Sequence, residues 1–222
     1  MLKAVLKIGG SLARDAALPG LCRALARLGR DQPLLVVPGG GPFADAVREA
    51  CRRFPVSDSA AHWMAIGGMD QYGLLLADLI PDAWTVTDPA EAEATARQGR
   101  LPVLLPSAWL RRADPLPHSW GVTSDSLAAW IAARLGVSPC VLVKDQDGLY
   151  DADPRRDPRA SPRPVLGLEE LAACRGVDDY LPTVLAENDL ECWVVSGKHP
   201  ERLAALLATG QTTGTHLPPR AG

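Results

Sequence analysis

Residues 34–45 read LLVVPGGGPFAD, a short apolar run that breaks into a proline and three consecutive glycines. A strand ending in glycines is where a chain can bring an anion close to bare backbone amides. The familiar phosphate loop, GxxxxGK followed by Ser or Thr, carries a lysine to meet the charge. Here Gly39, Gly40 and Gly41 run into Pro42, Phe43 and Ala44, with no cation in the loop. A break of the same kind stands earlier, where the apolar run AVLKI at 4–8 stops at Gly9-Gly10-Ser11. One Gly-Gly after a strand reads as a tight turn. Two at equivalent places, each followed by a helix with a positive N-terminal end, read as two loops that hold facing anionic groups. Lys7 sharpens the case. An ammonium inside an apolar run is costly without a partner, but at a strand's end it reaches into the cleft and supplies the charge that the second loop lacks.

Outward from these loops the chain alternates between strand and helix patterns. Leu18, Leu21, Leu25 and Leu28 mark an amphipathic helix over 13–29, with Pro19 near its start. The strand 34–37 leads into a helix over 43–54, with Phe43, Ala46, Val47, Ala50 and Cys51 on one face. Residues 58–80 read as helix with a weak point at Gly67-Gly68, followed by a strand at 84–87, a helix over 89–98 opened by a proline, and a strand at 101–105. The second half repeats the style. A helix over 123–135 begins among Thr, Ser and Asp, a strand follows at 140–143, and the Asp-, Arg- and Pro-rich stretch 144–164 reads as an ordered excursion. Helices at 168–173 and 181–188, a strand at 191–195, a helix over 200–209 and an edge strand at 215–217 complete the chain. Apolar strands fit to be buried on both faces, alternating with helices, predict an α/β three-layer sandwich around a mainly parallel sheet.

Composition narrows the function classes. The 222 residues are 47% hydrophobic and 22% charged, ordinary for a globular chain. A net charge of −3 gives no general attraction to nucleic acid. Five cysteines without CxxC spacing read as reduced thiols that behave as small hydrophobes. The apolar stretch of MLKAVLKIGG is too short for a signal peptide, and no run is long enough to span a membrane. The expectation is a cytoplasmic protein with a small-molecule substrate and neither nucleic acid nor membrane as partner.

Five motifs in order resemble the amino acid kinase family, the group of acetylglutamate, aspartate, glutamate, uridylate and isopentenyl phosphate kinases. They are Lys7–Ser11, Pro38–Pro42, Thr123–Ala129, Asp147–Tyr150 with Asp153-Pro154, and Ser196–Lys198 with Gly214-Thr215. The resemblance covers nearly the whole chain and implies one domain, 1–222, with an acceptor lobe at 1–115 and a nucleotide lobe at 116–222. It implies transfer of the γ-phosphoryl of ATP, with Mg2+, to a carboxylate or phosphate, in a homo-oligomer with the carbamate kinase-like fold. Lys7 would sit at the transferring phosphoryl and Asp125 would orient it. Gly9, Gly10 and Ser11 would donate to ATP phosphates, and Asp147, Gly148, Tyr150, Asp153 and Pro154 would border the nucleotide. Gly39, Gly40 and Gly41 would hold the acceptor. One feature departs from the pattern: the second lysine that several members carry before the last long helix is absent from 176–183, and Lys144 is the available substitute on the nucleotide side. No residue is assigned to a protein-held metal. Taken on the residues alone, Asp125 also reads as a helix cap and Asp147-Gly148 as a turn.

The segment 57–73, together with 119–126, resembles the branch of the family that phosphorylates aminomethylfuranylmethyl phosphate to a diphosphate in methanofuran-type cofactor synthesis. Such an acceptor carries a phosphate and an ammonium. His62 would face the phosphate end, Trp63, Trp120 and Asp70 the furan and ammonium, and Ser124 would also contact the substrate. Trp109, Trp130 and Trp193 read as core. Arg48 and Arg52 read as solvent-facing, leaving the loop without an arginine clamp for a carboxylate. The alternatives are a carboxylate kinase that makes an acyl phosphate, and a nucleotide-binding relative without transfer activity.

Overall fold

The computed structural model describes residues 1–152, 154, 156–157, 159–171 and 174–220. Five apolar runs form β1 (Ala4–Ile8), β2 (Leu34–Pro38), β3 (Ala83–Val86), β4 (Leu101–Leu104) and β5 (Cys140–Lys144). Leu149–Tyr150 and Pro162–Arg163 form a small hairpin, β6 and β7, and the chain ends its sheet with β8 (Cys192–Ser196) and β9 (Thr215–Leu217). The main sheet has seven strands in the order β3-β4-β2-β1-β5-β8-β9, parallel throughout except for β9 against β8. This is the α/β sandwich expected from the alternation.

Strands β1, β2, β4 and β8 are buried along their whole length, so both faces need cover. Ala4, Leu6 and Ile8 pack under α1 (Leu18–Asp31), through Leu21 and Leu25. Further along the chain come α2 (Gly41–Arg53), α3 (Asp58–Leu79), α4 (Pro89–Arg97), α5 (Ser107–Ala113), α6 (Ser124–Leu135), α7 (Leu168–Leu171), α8 (Leu181–Asn188) and α9 (Pro200–Thr209). Leu203, Leu206 and Leu207 of α9 join α1 on its face, whereas Val5 faces the other layer, with Leu127 and Ile131 of α6. Because strand side chains alternate, Lys7 shares the face of Val5 and looks toward α6.

Several local expectations shift. Gly10–Arg14 closes a tight 3-10 turn, so α1 begins at Leu18, with Pro19 in its first turn where a missing N–H is harmless. In α3 the glycine pair is a crossing point and not a break. A Cβ on Gly68 would lie 2.9 Å from the Ala44 amide of α2, so glycine lets the two helices approach. Helix α2 buries Ala44 and Val47 and exposes Ala46, a face rotated from the one expected. Helix α5 had no expectation attached to it. It is fastened by Asp70, whose carboxylate accepts from the Ser107 amide and hydroxyl. The helix expected over 168–173 is described as far as Leu171, with Ala172 and Ala173 outside the described residues. Cys22, Cys140 and Cys192 are buried thiols, and burial pushes Cys22 up to about 11. Trp193 is buried, and Trp109 and Trp130 pack against the core at 5.5 Å between ring centres. Among the described residues, no helix is long and apolar enough to cross a membrane.

Candidate active site

The carboxyl ends of β1, β2 and β5 lie side by side, and a cavity of about 470 Å³ opens over them. From β1 the chain builds first toward β2 and β4, then returns to add β5 and β8 on the other side. Open α/β sheets collect ligands at such a reversal of strand order.

At the floor of the cavity one carboxylate holds two lysines. Lys144 lies two residues beyond Leu142, the register partner of Lys7, so both ammonium groups emerge toward α6. Lys7 Nζ stands 2.7 Å from Asp125 Oδ1, and Lys144 Nζ stands 2.7 Å from Oδ2. The Lys144 contact is an aligned hydrogen bond, whereas the Lys7 contact is an ion pair off the hydrogen-bonding direction. The side chains of Lys7, Lys144 and Asp125 are 5%, 12% and 4% exposed. Burial alone would favour the neutral acid. Lys144 and Lys7 outweigh it and hold the Asp125 carboxyl well below the usual carboxylate range. Burial also pushes the Lys7 ammonium down, against the pull of Asp125 and with the help of Lys144. Two cations around one anion leave this centre positive. An anionic ligand completes it.

The two glycine loops meet above that floor. Gly9 donates its amide to Val143 O and Gly39 donates to Ile8 O, each at 2.8 Å, so these two amides belong to the sheet. Gly10 and Ser11 of the first loop and Gly40 and Gly41 of the second line the cavity. They stand where the 3-10 turn and α2 begin, and leading N–H groups of a helix have no intrahelical partner. The contact between the loops is close: a Cβ on Gly10 would lie 2.3 Å from the Gly41 amide nitrogen. Tyr72 of α3 steadies both. Its hydroxyl donates to Gly9 O at 3.5 Å, and a Cβ on Gly41 (φ +54°) would lie 3.4 Å from its ring. Burial raises the Tyr72 phenol, which keeps its proton for that bond.

Beyond the second loop, Ala61, His62, Ala65, Ile66 and Met69 present one helical face of α3 to the cavity. His62 is buried and stacks on His118 at 4.4 Å, with burial and then His118 favouring its neutral form. His118 is itself held by Ser59 Oγ at 2.9 Å and Asp114 Oδ1 at 2.8 Å. At the rim, Arg14 and Arg48 each reach Asp45 at 2.8 Å, and the Arg48 guanidinium lies 5.2 Å from the centre of the Trp120 ring.

A sequence model of the amino acid kinase family matches residues 3–186. The chain belongs to the amino acid kinase family. The [5-(aminomethyl)furan-3-yl]methyl phosphate kinase of Methanocaldococcus jannaschii is 32% identical over 207 residues, which cover 91% of this chain and 92% of that one. The uridylate kinase of Methanospirillum hungatei is 28% identical over 229 residues, with coverages of 95% and 92%. Among solved structures, the uridylate kinase of Archaeoglobus fulgidus aligns with a TM-score of 0.74 at 21% identity, covering 97% of this chain and 100% of that one. The isopentenyl phosphate kinase of T. acidophilum aligns at 0.66 and 20% identity, with coverages of 97% and 99%. Those two likenesses show the fold. As an amino acid kinase family member with kinases among its relatives, the chain is an ATP-dependent kinase.

For this family member, the cavity gathers ten of the residues singled out in the sequence beside Gly9: Lys7, Gly10, Ser11, Gly40, Gly41, His62, Trp120, Ser124, Asp125 and Lys144. Others stand elsewhere. Gly39 lies outside the lining and its amide is committed to Ile8. Trp63 backs His62 from outside, edge-on at 5.1 Å, and carries Arg111 over its ring. Asp70 caps α5 and lies outside the lining, so it is not the cavity's acid for an ammonium. Asp147 turns to Arg202 at 2.8 Å, Gly148 abuts Thr215, and Tyr150 belongs to the hairpin. Those three and Pro154 lie outside the lining, where Asp145, Gln146 and Gly176 form the wall instead. Asp153 lies outside the described residues. Arg48 does not simply face solvent: with Arg14 it lines the cavity, although Asp45 engages both guanidinium groups. Arg14, Asp45 and Tyr72 went unnoticed in the sequence because only the crossing of α2, α3 and the first loop gives them a role.

Proposed function

We propose that this kinase transfers the γ-phosphoryl of ATP to the phosphate of [5-(aminomethyl)furan-3-yl]methyl phosphate, giving the diphosphate in methanofuran-type cofactor synthesis. The observation that carries the acceptor is the 32% identity to the Methanocaldococcus jannaschii kinase over nine-tenths of both chains. The site's chemistry supports it. The acceptor phosphate lies on the Gly40 and Gly41 amides at the start of α2, and its body lies along the small and apolar face of Ala61, Ala65, Ile66 and Met69. The triphosphate lies on Gly10 and Ser11, with the nucleotide toward the 116–222 lobe and the acceptor in the 1–115 lobe. Where the loops touch, an acceptor phosphate oxygen forms the new P–O bond, and the β–γ bridging P–O bond breaks with its electron pair leaving on ADP. No proton has to move, so positioning and charge neutralisation suffice. Lys7 neutralises the moving phosphoryl, and Lys144, at the end of β5 and two residues before Gln146, meets the charge that grows on the leaving phosphate.

Among the described residues there is no cluster of three His, Cys, Asp or Glu side chains fit to hold a metal ion. Magnesium would enter bound to the triphosphate and would neutralise part of its charge. We place the enzyme in the cytoplasm as a homo-oligomer. The test is ADP release with Mg-ATP and, side by side, the furan phosphate, isopentenyl phosphate, UMP, aspartate, glutamate and acetylglutamate. Turnover is expected with the furan phosphate, and a diphosphate as product. Efficient phosphorylation of a carboxylate with none of the phosphates, trapped as a hydroxamate, overturns the acceptor while leaving the fold untouched.

A further inference from the structure

Asp178 lies in the loop before α8, and its carboxylate gathers donors from two helices that the sequence separates widely. The Thr123 amide (2.9 Å) and hydroxyl (2.8 Å), the Ser126 amide (3.0 Å) and hydroxyl, and the Leu181 amide (3.0 Å) all donate to it. Thr123 occupies the N-cap position of α6 yet makes no side-chain cap bond, because its hydroxyl points to Asp178. A carboxylate from 55 residues downstream thus does the capping. Capping of this strength at a helix that carries only apolar residues would be architecture alone. Here the first turn of α6 carries Ser124 and Asp125, and among the described residues Asp125 is the carboxylate paired with both Lys7 and Lys144.

We infer that Asp178 is a positioning residue of phosphoryl transfer, holding the first turn of α6 so that Asp125 keeps Lys7 aligned and charged. The inference rests on the reading of Lys7 and Asp125 as the transfer centre. The loop that carries Asp178 also brings Gly176 to the cavity wall, where its φ of +111° favours glycine. One short segment therefore both walls the nucleotide side and fixes the acid under the lysines. The charged groups that act on Lys7 are Asp125 from α6, Lys144 from β5 and, least of the three, Asp178 from this loop, which favours the protonated ammonium. An amide at position 178 deletes the charge and keeps one acceptor, while its NH2 group turns toward backbone N–H donors that the second oxygen accepted.

The experiment measures kcat, both KM values and the pH–rate profile for Asp178→Asn, Asp178→Ala and Lys7→Ala, with whichever acceptor supports wild-type turnover. Asp178→Asn is expected to lower kcat roughly tenfold to a hundredfold, the scale of a misplaced catalytic group, with both KM values nearly unchanged. Its alkaline limb is expected at lower pH than in the wild type, because Lys7 has lost one of its two neighbouring anions. A purely architectural cap moves the melting temperature and neither kcat nor that limb. An Asp178→Asn enzyme that melts earlier but keeps the wild-type kcat and profile therefore overturns the inference. If Asp178→Ala fails to fold, the Asn variant still decides. Should Lys7→Ala retain turnover, the transfer-centre reading fails first, and that outcome is distinct from a normal Asp178→Asn beside an inactive Lys7→Ala.

Discussion

Two clusters in this molecule share a composition and differ in surroundings. Lys7, Asp125 and Lys144 put two cations on one carboxylate in the interior, and Arg14, Asp45 and Arg48 do the same at the rim of the same cavity. The inner side chains are at most 12% exposed, whereas those at the rim are at least 44% exposed. Water screens the rim, so removing a partner there leaves charges that solvent can accommodate. The interior offers no such relief, and an unmatched charge must find an anion, lose its proton or unfold the region. The same three-charge motif is thus a ligand trap in one place and a surface brace in the other. The residue types follow. Lysine, a compact charge whose pKa yields to burial, occupies the centre where charge develops. Arginine, always charged and able to lie over Trp120, occupies the rim.

The largest expected effect comes from removing the inner anion. Asp125→Asn takes from Lys7 and Lys144 the carboxylate that pairs with both and is expected to destabilise the protein by about 3–5 kcal/mol, read by urea denaturation. The sign with pH follows from the depressed carboxyl. Its folded pKa lies below the unfolded value near 3.9, so its stabilisation is fully present above about pH 4 and is lost as pH falls toward the folded value. The gap between wild type and Asp125→Asn should therefore narrow in acid. Lys7 works oppositely. Burial holds its folded pKa below that of a free lysine, so its charge weakens folding at neutral pH, and that weakening is relieved as pH rises through the folded value. A variant as stable as the wild type at pH 7 would mean that the inner cluster is solvated after all.

Removing one inner cation is milder for folding and severe for chemistry. In Lys7→Ala, Asp125 and Lys144 remain as a matched pair, so the fold should survive with a smaller loss than Asp125→Asn. Turnover should fall by about 10²–10³, the typical loss for one electrostatic contact to a transition state. Steady-state ADP release measures it, with circular dichroism as the check on folding. Near wild-type turnover in a folded variant removes Lys7 from the site.

The inner cluster was partly legible in the sequence and the rim was not. Lys7 declares itself as a charge inside an apolar strand, and the glycine loops declare themselves as breaks after strands, because both contradict the local pattern. The strand at 4–8, the helices over 181–188 and 200–209, and the edge strand at 215–217 agree with the structure, and the other expected strands fall within one residue of the observed limits. Lys144 was reached only through the lysine missing elsewhere, although its place two residues beyond the register partner of Lys7 makes it a second ion-pair partner of Asp125. Asp178 and Tyr72 act through helices far away in sequence, and periodicity says nothing of such contacts. Trp63 and Asp70 illustrate the opposite error. Their chemistry suited a ligand, but α3 turns them away from the cavity, toward Arg111 and toward Ser107. A helix face is set by packing against the sheet, and a residue's type does not reveal on which side of that face it falls.

The smallest expected effect closes the comparison at the rim. Asp45→Asn removes the anion that Arg14 and Arg48 each reach at 2.8 Å. The two guanidinium groups then repel one another through water, and each remains hydrated, so the loss should stay within about 1 kcal/mol. Ionic strength separates the two clusters further. At about 0.15 M salt the screening length is about 8 Å, shorter still at higher salt, and it acts on exposed charges far more than on buried ones. Adding salt should shrink the Asp45→Asn deficit toward zero and leave the Asp125→Asn deficit nearly unchanged. Melting curves of the two variants across a salt series measure both slopes. A rim deficit of several kcal/mol that ignores salt would show that Arg14, Asp45 and Arg48 are as desolvated as the lysines beneath them, and the contrast between brace and trap would be lost.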